Sequence, residues 1–94
     1  MVEYRLLYSE TSRNQIRKLH PEIKPVIRSR LDSIQRKPLV GKKLERKLSG
    51  YRSLRAKRFR IIYKLDEDTR TIEIHYIGHR RDIYELFSEK VGLP

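Results

Sequence analysis

Residues 58–65, RFRIIYKL, alternate strictly, with Phe59, Ile61, Tyr63 and Leu65 on one side and Arg58, Arg60, Ile62 and Lys64 on the other. A period of two is that of a half-buried β-strand, one row facing a core and the next facing away from it. The strand closes a longer stretch, residues 51–63, in which Arg52, Arg55, Lys57, Arg58 and Arg60 follow one another with no acid between them. A strand interior holds side chains with less backbone freedom than a loop, and positioned charge is what phosphate chemistry uses. The chain is therefore expected to build a sheet with one apolar face, the other offering fixed guanidinium groups.

The flanking segments supply the layers for such a sheet. In residues 3–8, Tyr4, Leu6 and Tyr8 share a face opposite Arg5, which predicts a short first strand. Ser9 to Asn14 supply capping residues, and Ser12 with Gln15 matches a capping box for a helix ending near Leu19, with Ile16 and Leu19 inward. His20-Pro21 breaks that helix, and Pro21 or Pro25 suits the first turn of a second. There Ile23, Val26, Ile27, Leu31 and Ile34 recur at spacings of three and four until Pro38, with Arg28, Arg30, Arg36 and Lys37 on the outer face. Residues 38–50 read as a loop with a turn of helix around Leu44 and Leu48.

Strands are expected at 51–56 and 58–65. A polar turn at residues 66–69 returns the chain into 70–77, where Ile72, Ile74 and Tyr76 alternate with Glu73 and His75. Gly78 is expected to end that strand, and residues 80–91 place Ile83, Leu86 and Phe87 at helical spacing. The expected fold is α+β, a small single domain over residues 1–94 in the order β-α-α-β-β-β-α. Two N-terminal helices pack on one face of an antiparallel meander, and a C-terminal helix closes an edge.

Charge narrows the partners. Lys and Arg number 23 against 12 acids, a formal net charge of +11 with a pI near 10.3. Such an excess points to nucleic acid, an anionic membrane or an acidic protein. It is uneven: residues 1–50 carry 13 cations and 5 acids, residues 51–94 carry 10 and 7. With no cysteine there is neither disulfide nor thiolate metal site, which fits a cytoplasmic protein, and no run of about 18 apolar residues suits a membrane span.

Two constellations carry chemistry. The cluster from Arg52 to Arg60 would bind RNA through its phosphates, or else form a solvated face. In GHRRDIY, residues 78–84, His79, Arg80 and Arg81 stand where a strand gives way to a helix, and each is also open to a purely structural reading, as is Tyr84. Cleavage of RNA through its 2′-hydroxyl needs a base, an acid for the leaving oxygen, and cations around the phosphate. Arginine supplies only the last, so Lys57, His79 or Tyr84 would carry protons. A two-histidine mechanism would require His75 to meet His79. Asp66, Glu67 and Asp68 are consecutive in a turn, a poor spacing for metal ligands, and no metal or other cofactor is expected.

YSETSRNQIRKL, GYRSLRAKRFRIIYKL and IHYIGHRRDIYELF together resemble the RelE/ParE superfamily of toxin–antitoxin toxins. The resemblance implies the fold above and, for the RelE branch, a ribosome-dependent mRNA endonuclease (mRNA interferase) that cuts message in the A site, inhibits translation and is restrained by an antitoxin. It implies that Arg60 contacts the scissile phosphate, that Arg80 stabilises the transition state or helps protonate the leaving oxygen, and that Tyr84 stacks on a base or helps the nucleophile. Lys57 is left as the lysine able to exchange a proton, and Arg52, Arg55, Arg58, Arg81 and His79 as RNA contacts. The chain departs from RelE where that branch has lysines implicated as general base, positions here held by Tyr51 and Ser53. ParE-like members, described as inhibitors of DNA gyrase, need no base, so that alternative stays open beside a basic RNA-binding module without catalysis. The antitoxin is expected to dock on the helices' apolar edges and the C-terminal helix.

Overall fold

The computed structural model describes residues 4–90, so Glu3 of the expected first strand and Val91 of the expected last helix lie outside it. The elements are β1 (Arg5–Tyr8), α1 (Glu10–Arg17), α2 (Lys24–Arg36), β2 (Lys42–Lys43), β3 (Arg52–Ala56), β4 (Phe59–Asp66), β5 (Thr71–His79) and α3 (Ile83–Lys90). They form one mixed sheet in the order β1-β5-β4-β3-β2. β3, β4 and β5 are the expected antiparallel meander, and β1 runs parallel to β5. A two-residue strand, β2, comes from the segment read as loop, between 3₁₀ turns at Pro38–Val40 and Arg46–Leu48.

The α+β architecture follows from two apolar faces. α1 and α2 cover the first, where Ile27, Leu31 and Ile34 meet Ala56, Ile61, Tyr63, Ile72, Ile74 and Ile77, with Phe59 and Leu65 beside them. Burial of such side chains contributes roughly 1.5–3 kcal/mol each, which makes this the main core. On the second face Leu48, Ile62, Ile83 and Phe87 form a smaller cluster, flanked by Leu44, Tyr51, Tyr76 and Tyr84. α3 therefore lies across the second face rather than closing an edge, because Ile62 is the apolar break in the outward row of β4.

Three local expectations change. Ser9, not Ser12, caps α1: its Oγ accepts the Ser12 N–H at 3.0 Å, while Ser12 is buried and its hydroxyl donates to the Ile74 carbonyl at 2.7 Å. Tyr76 does not share a face with Ile72 and Ile74. Ile62 pairs with Tyr76 and Tyr63 with Ile74, leaving His75 as an extra residue, and this bulge sends Tyr76 to the second face and Ile77 to the first. Gly78 lies within β5 opposite Arg60 rather than ending it; a Cβ there would sit 3.3 Å from the Tyr76 ring and 3.6 Å from Ile83.

α1 also finishes the edge that β1 leaves open, since β1 pairs only with Thr71–Ile74. Beyond that point Ser9 Oγ donates to the His75 carbonyl at 3.0 Å, and Gln15 Oε1 accepts the Ile77 N–H at 2.7 Å. Ser9, Ser12 and Gln15 recur every three residues along one side of the helix, so polar side chains replace the missing strand.

Candidate nucleic-acid interface

The site is the end of the sheet where β3, β4 and β5 converge. A two-residue connection, Lys57-Arg58, joins β3 to β4 with Lys57 in the left-handed region at φ 57°. The ladder sets Arg55 directly opposite Arg60, and Arg60 opposite Gly78. It continues past β5, where the Arg80 N–H donates to the Arg58 carbonyl at 2.8 Å. Arg55–Arg60 is thus a cross-strand pair of like charge, an arrangement that destabilises a sheet unless an anion is supplied, and the backbone bond brings the cations Arg58 and Arg80 next to it just beyond the strand ends. Nothing nearby supplies it: among the described residues the one acid–base contact is Glu73 with His75 at 3.1 Å, and no arginine or lysine is paired with a carboxylate.

Arg60 is half-buried on the α3 side, in the row of Ile62. Its Nη1 donates to Ser53 Oγ at 3.3 Å, and the Tyr84 hydroxyl, reaching across from α3, donates to the same oxygen at 3.2 Å. A strand cation and a helix phenol therefore meet on one buried hydroxyl. Gly78 contributes by lacking a side chain: Tyr76 and Ile83 pack close against it, which seats the start of α3 beside Arg60.

The other expected residues divide. Arg55, Arg58, Arg80 and Lys57 gather at this end; Arg55 Nε donates to the Lys57 carbonyl at 3.1 Å, and Arg30 of α2, half-buried rather than on an outer face, donates to the Arg55 carbonyl at 3.1 Å. Arg81 is exposed in the turn before α3. His79 stacks on Phe59 with ring centroids 4.7 Å apart, on the face that α1 and α2 cover. Arg52 lies at the far end of β3, donating to the Gly41 carbonyl at 2.8 Å and the Leu39 carbonyl at 3.4 Å. His75 packs near Tyr51 and Phe87, four positions along β5 from His79, so the two-histidine pair does not form. No group of three or more His, Cys, Asp or Glu side chains among the described residues could hold a metal ion.

Ser53, noted in the sequence only as a departure from the lysine of the RelE branch, is a site residue whose own contribution was not foreseen. The one further signal is a small polar side chain two residues before Arg55, hence on the same face. A second feature is a cleft of about 390 Å³ between β1, α1 and α2, with Leu6, Ile16 and Ile27 in its floor and Arg13, Arg17 and Arg28 on its rim.

Fold and site together define a small basic α+β domain presenting a row of unpaired arginines beside a phenol. The family described as ParE toxin of type II toxin–antitoxin system, parDE, matches residues 6–84. Toxin RelG of Mycobacterium tuberculosis is 36% identical over 83 residues, covering 86% of this chain and 95% of the relative. The toxin–antitoxin complex RelBE2 of the same organism has a chain that superposes with a TM-score of 0.75 at 34% identity, over 84% of this chain and 100% of that one. An arginine-mutant Escherichia coli toxin RelE in the free state gives a TM-score of 0.75 at 20% identity, with 96% of each chain covered, and supports the fold. This chain belongs to the ParE toxin family of the RelE/ParE superfamily, and is the toxin of a toxin–antitoxin system.

Proposed function

We propose that the protein is a metal-independent endoribonuclease that acts in the cytoplasm on ribosome-bound mRNA and inhibits translation. The observation that carries this reading is the Arg60–Ser53–Tyr84 arrangement within a row of arginines that lacks carboxylate partners. In the reaction the 2′-oxygen bonds to the adjacent phosphorus, the bond from phosphorus to the 5′-oxygen breaks, and the products are a 2′,3′-cyclic phosphate and a 5′-hydroxyl. Arg60 and Arg80 would contact the phosphate and offset the charge gathering on its oxygens; Arg55, Arg58 and Arg81 would hold the flanking backbone. One proton leaves the 2′-oxygen and one reaches the 5′-oxygen. Tyr84, linked to Arg60 through a shared hydroxyl, would carry one transfer, with Lys57 at the hairpin tip as the second candidate. Arg52 and His79, turned to other surroundings, would bind RNA only outside this row.

The antitoxin would occupy the cleft between β1, α1 and α2, whose apolar floor and cationic rim suit an amphipathic segment carrying acids. Relatives of this fold have been solved in complex with RelB antitoxins, among them those of E. coli and Pyrococcus horikoshii.

The test is to add the protein to a translating extract and map mRNA ends by primer extension. Cuts at the A-site codon that require ribosomes are expected, falling by about 10²–10³ in rate for Arg60→Ala and Arg80→Ala. A second reading, inhibition of DNA gyrase, is favoured by the ParE family match and by Tyr51 and Ser53 at the positions noted above. Intact message together with loss of supercoiling activity would replace the first reading with the second.

A further inference from the structure

Three polar side chains are buried among the described residues: Ser12, Ser53 and Thr71. Two are tied to nearby structure. Ser12 donates to the Ile74 carbonyl on the edge of β5, and Thr71 pairs with Thr69 at 2.8 Å across the β4–β5 turn. Ser53 is different. Its backbone already sits in the ladder opposite Ile62 and Lys42, and its hydroxyl bonds only to side chains, those of Arg60 and Tyr84. At 2% exposure it does not itself meet solvent.

Arg60 faces Arg55 directly, and no carboxylate orients it, so mutual repulsion would drive its guanidinium away from the sheet. A hydroxyl oxygen has two lone pairs and one proton. Here the lone pairs accept from Arg60 and Tyr84, which leaves the Ser53 proton free to turn toward the Tyr84 oxygen whenever that oxygen gives its own proton away. We propose that Ser53 is a positioning residue of the phosphate site: its hydroxyl holds the Arg60 cation and the Tyr84 phenol on one point, so that both address the same phosphodiester. The part played in cleavage rests on the nuclease reading; the geometric part does not.

The experiment has two arms. In the free protein, nitrogen-15 NMR of arginine side chains is expected to show a distinct, slowly rotating Arg60 guanidinium. Ser53→Ala should collapse it into the averaged signals of exposed arginines while backbone amides outside the site keep their shifts. Tyr84→Phe, which spares the Ser53–Arg60 bond, should leave it distinct. In single-turnover cleavage on ribosomes, Ser53→Ala is expected to lower the rate at saturation by roughly tenfold with little change in half-saturating concentration. The Ser53→Ala/Tyr84→Phe double variant should lose no more than the worse single one. An Arg60 signal unchanged by Ser53→Ala, or losses that simply multiply, would overturn the proposal. Absence of cleavage in the unaltered protein would instead remove the nuclease reading, and the Arg60 spectrum would still decide the role of Ser53.

Discussion

Tyr63 has no exposed surface, yet its hydroxyl is fully used: it donates to the Pro38 carbonyl at 2.7 Å and accepts the Gly41 N–H at 2.9 Å. One side chain of β4 thereby fixes the loop that leads from α2 into β2. Gly41 is required there, since a Cβ would stand 2.6 Å from that hydroxyl and 3.0 Å from the Ser53 carbonyl. Gly41→Ala should cost about 1–3 kcal/mol and lower Tm by roughly 4–8 °C per kcal/mol, measured by calorimetry. Burial raises the Tyr63 phenol above its ordinary 10.0, against smaller opposing effects of Gly41 and Arg52. Burial, helped by Asp32, also raises Tyr8. A phenol whose folded pKa exceeds its unfolded one favours the fold while neutral; that contribution is complete below the unfolded value and fades as pH rises through the folded one. Thermal stability should therefore decline above about pH 10, and the decline should be shallower in Tyr63→Phe. The inward direction of Tyr63 was legible in its strand period. Its partners, 25 and 22 residues away, were not.

Among the elements, the spacing of apolar residues matches the buried faces where an element is regular and departs from them where it is interrupted. The apolar row of β4 and the buried positions of α2 stand where their spacing put them. Tyr76 changed faces because a single extra residue, His75, inverts every later position of a strand, and nothing in the alternation marks it beforehand. α3 is anchored through Ile83 and Phe87 on the smaller of the two clusters. Phe87→Ala should cost about 3–5 kcal/mol, and we expect it to appear as local detachment. Hydrogen exchange should then quicken across Ile83–Lys90 and stay slow in β4 and β5. Equal loss of protection in all three would show instead that the helix is part of one cooperative unit.

For the whole molecule, a net charge of +11 with no arginine or lysine paired to a carboxylate among the described residues leaves the cations available to phosphates. The small volume also concentrates them, the Cα radius of gyration being 12.5 Å. Affinity for single-stranded RNA should fall steeply with salt: an interface of about six phosphate contacts loses roughly three orders of magnitude between about 50 and 200 mM. A titration by fluorescence anisotropy at several salt concentrations measures the slope, and a flat one would mean that the arginine row is not the binding surface.

By itself the sequence determined the α+β class, the antiparallel meander, the inner face of β4, the helices that cover it, and the excess of cations near Arg60. These depend on spacing and composition, which are properties of neighbours along the chain. Tertiary structure alone decided that β1 returns parallel to β5, that α3 crosses the second face, that His79 leaves the arginine row for Phe59, and that Ser53 joins Arg60 to Tyr84. Each of these is a meeting between residues far apart in sequence, fixed by which strand is bulged, which face remains apolar, and which distant group satisfies each buried polar atom.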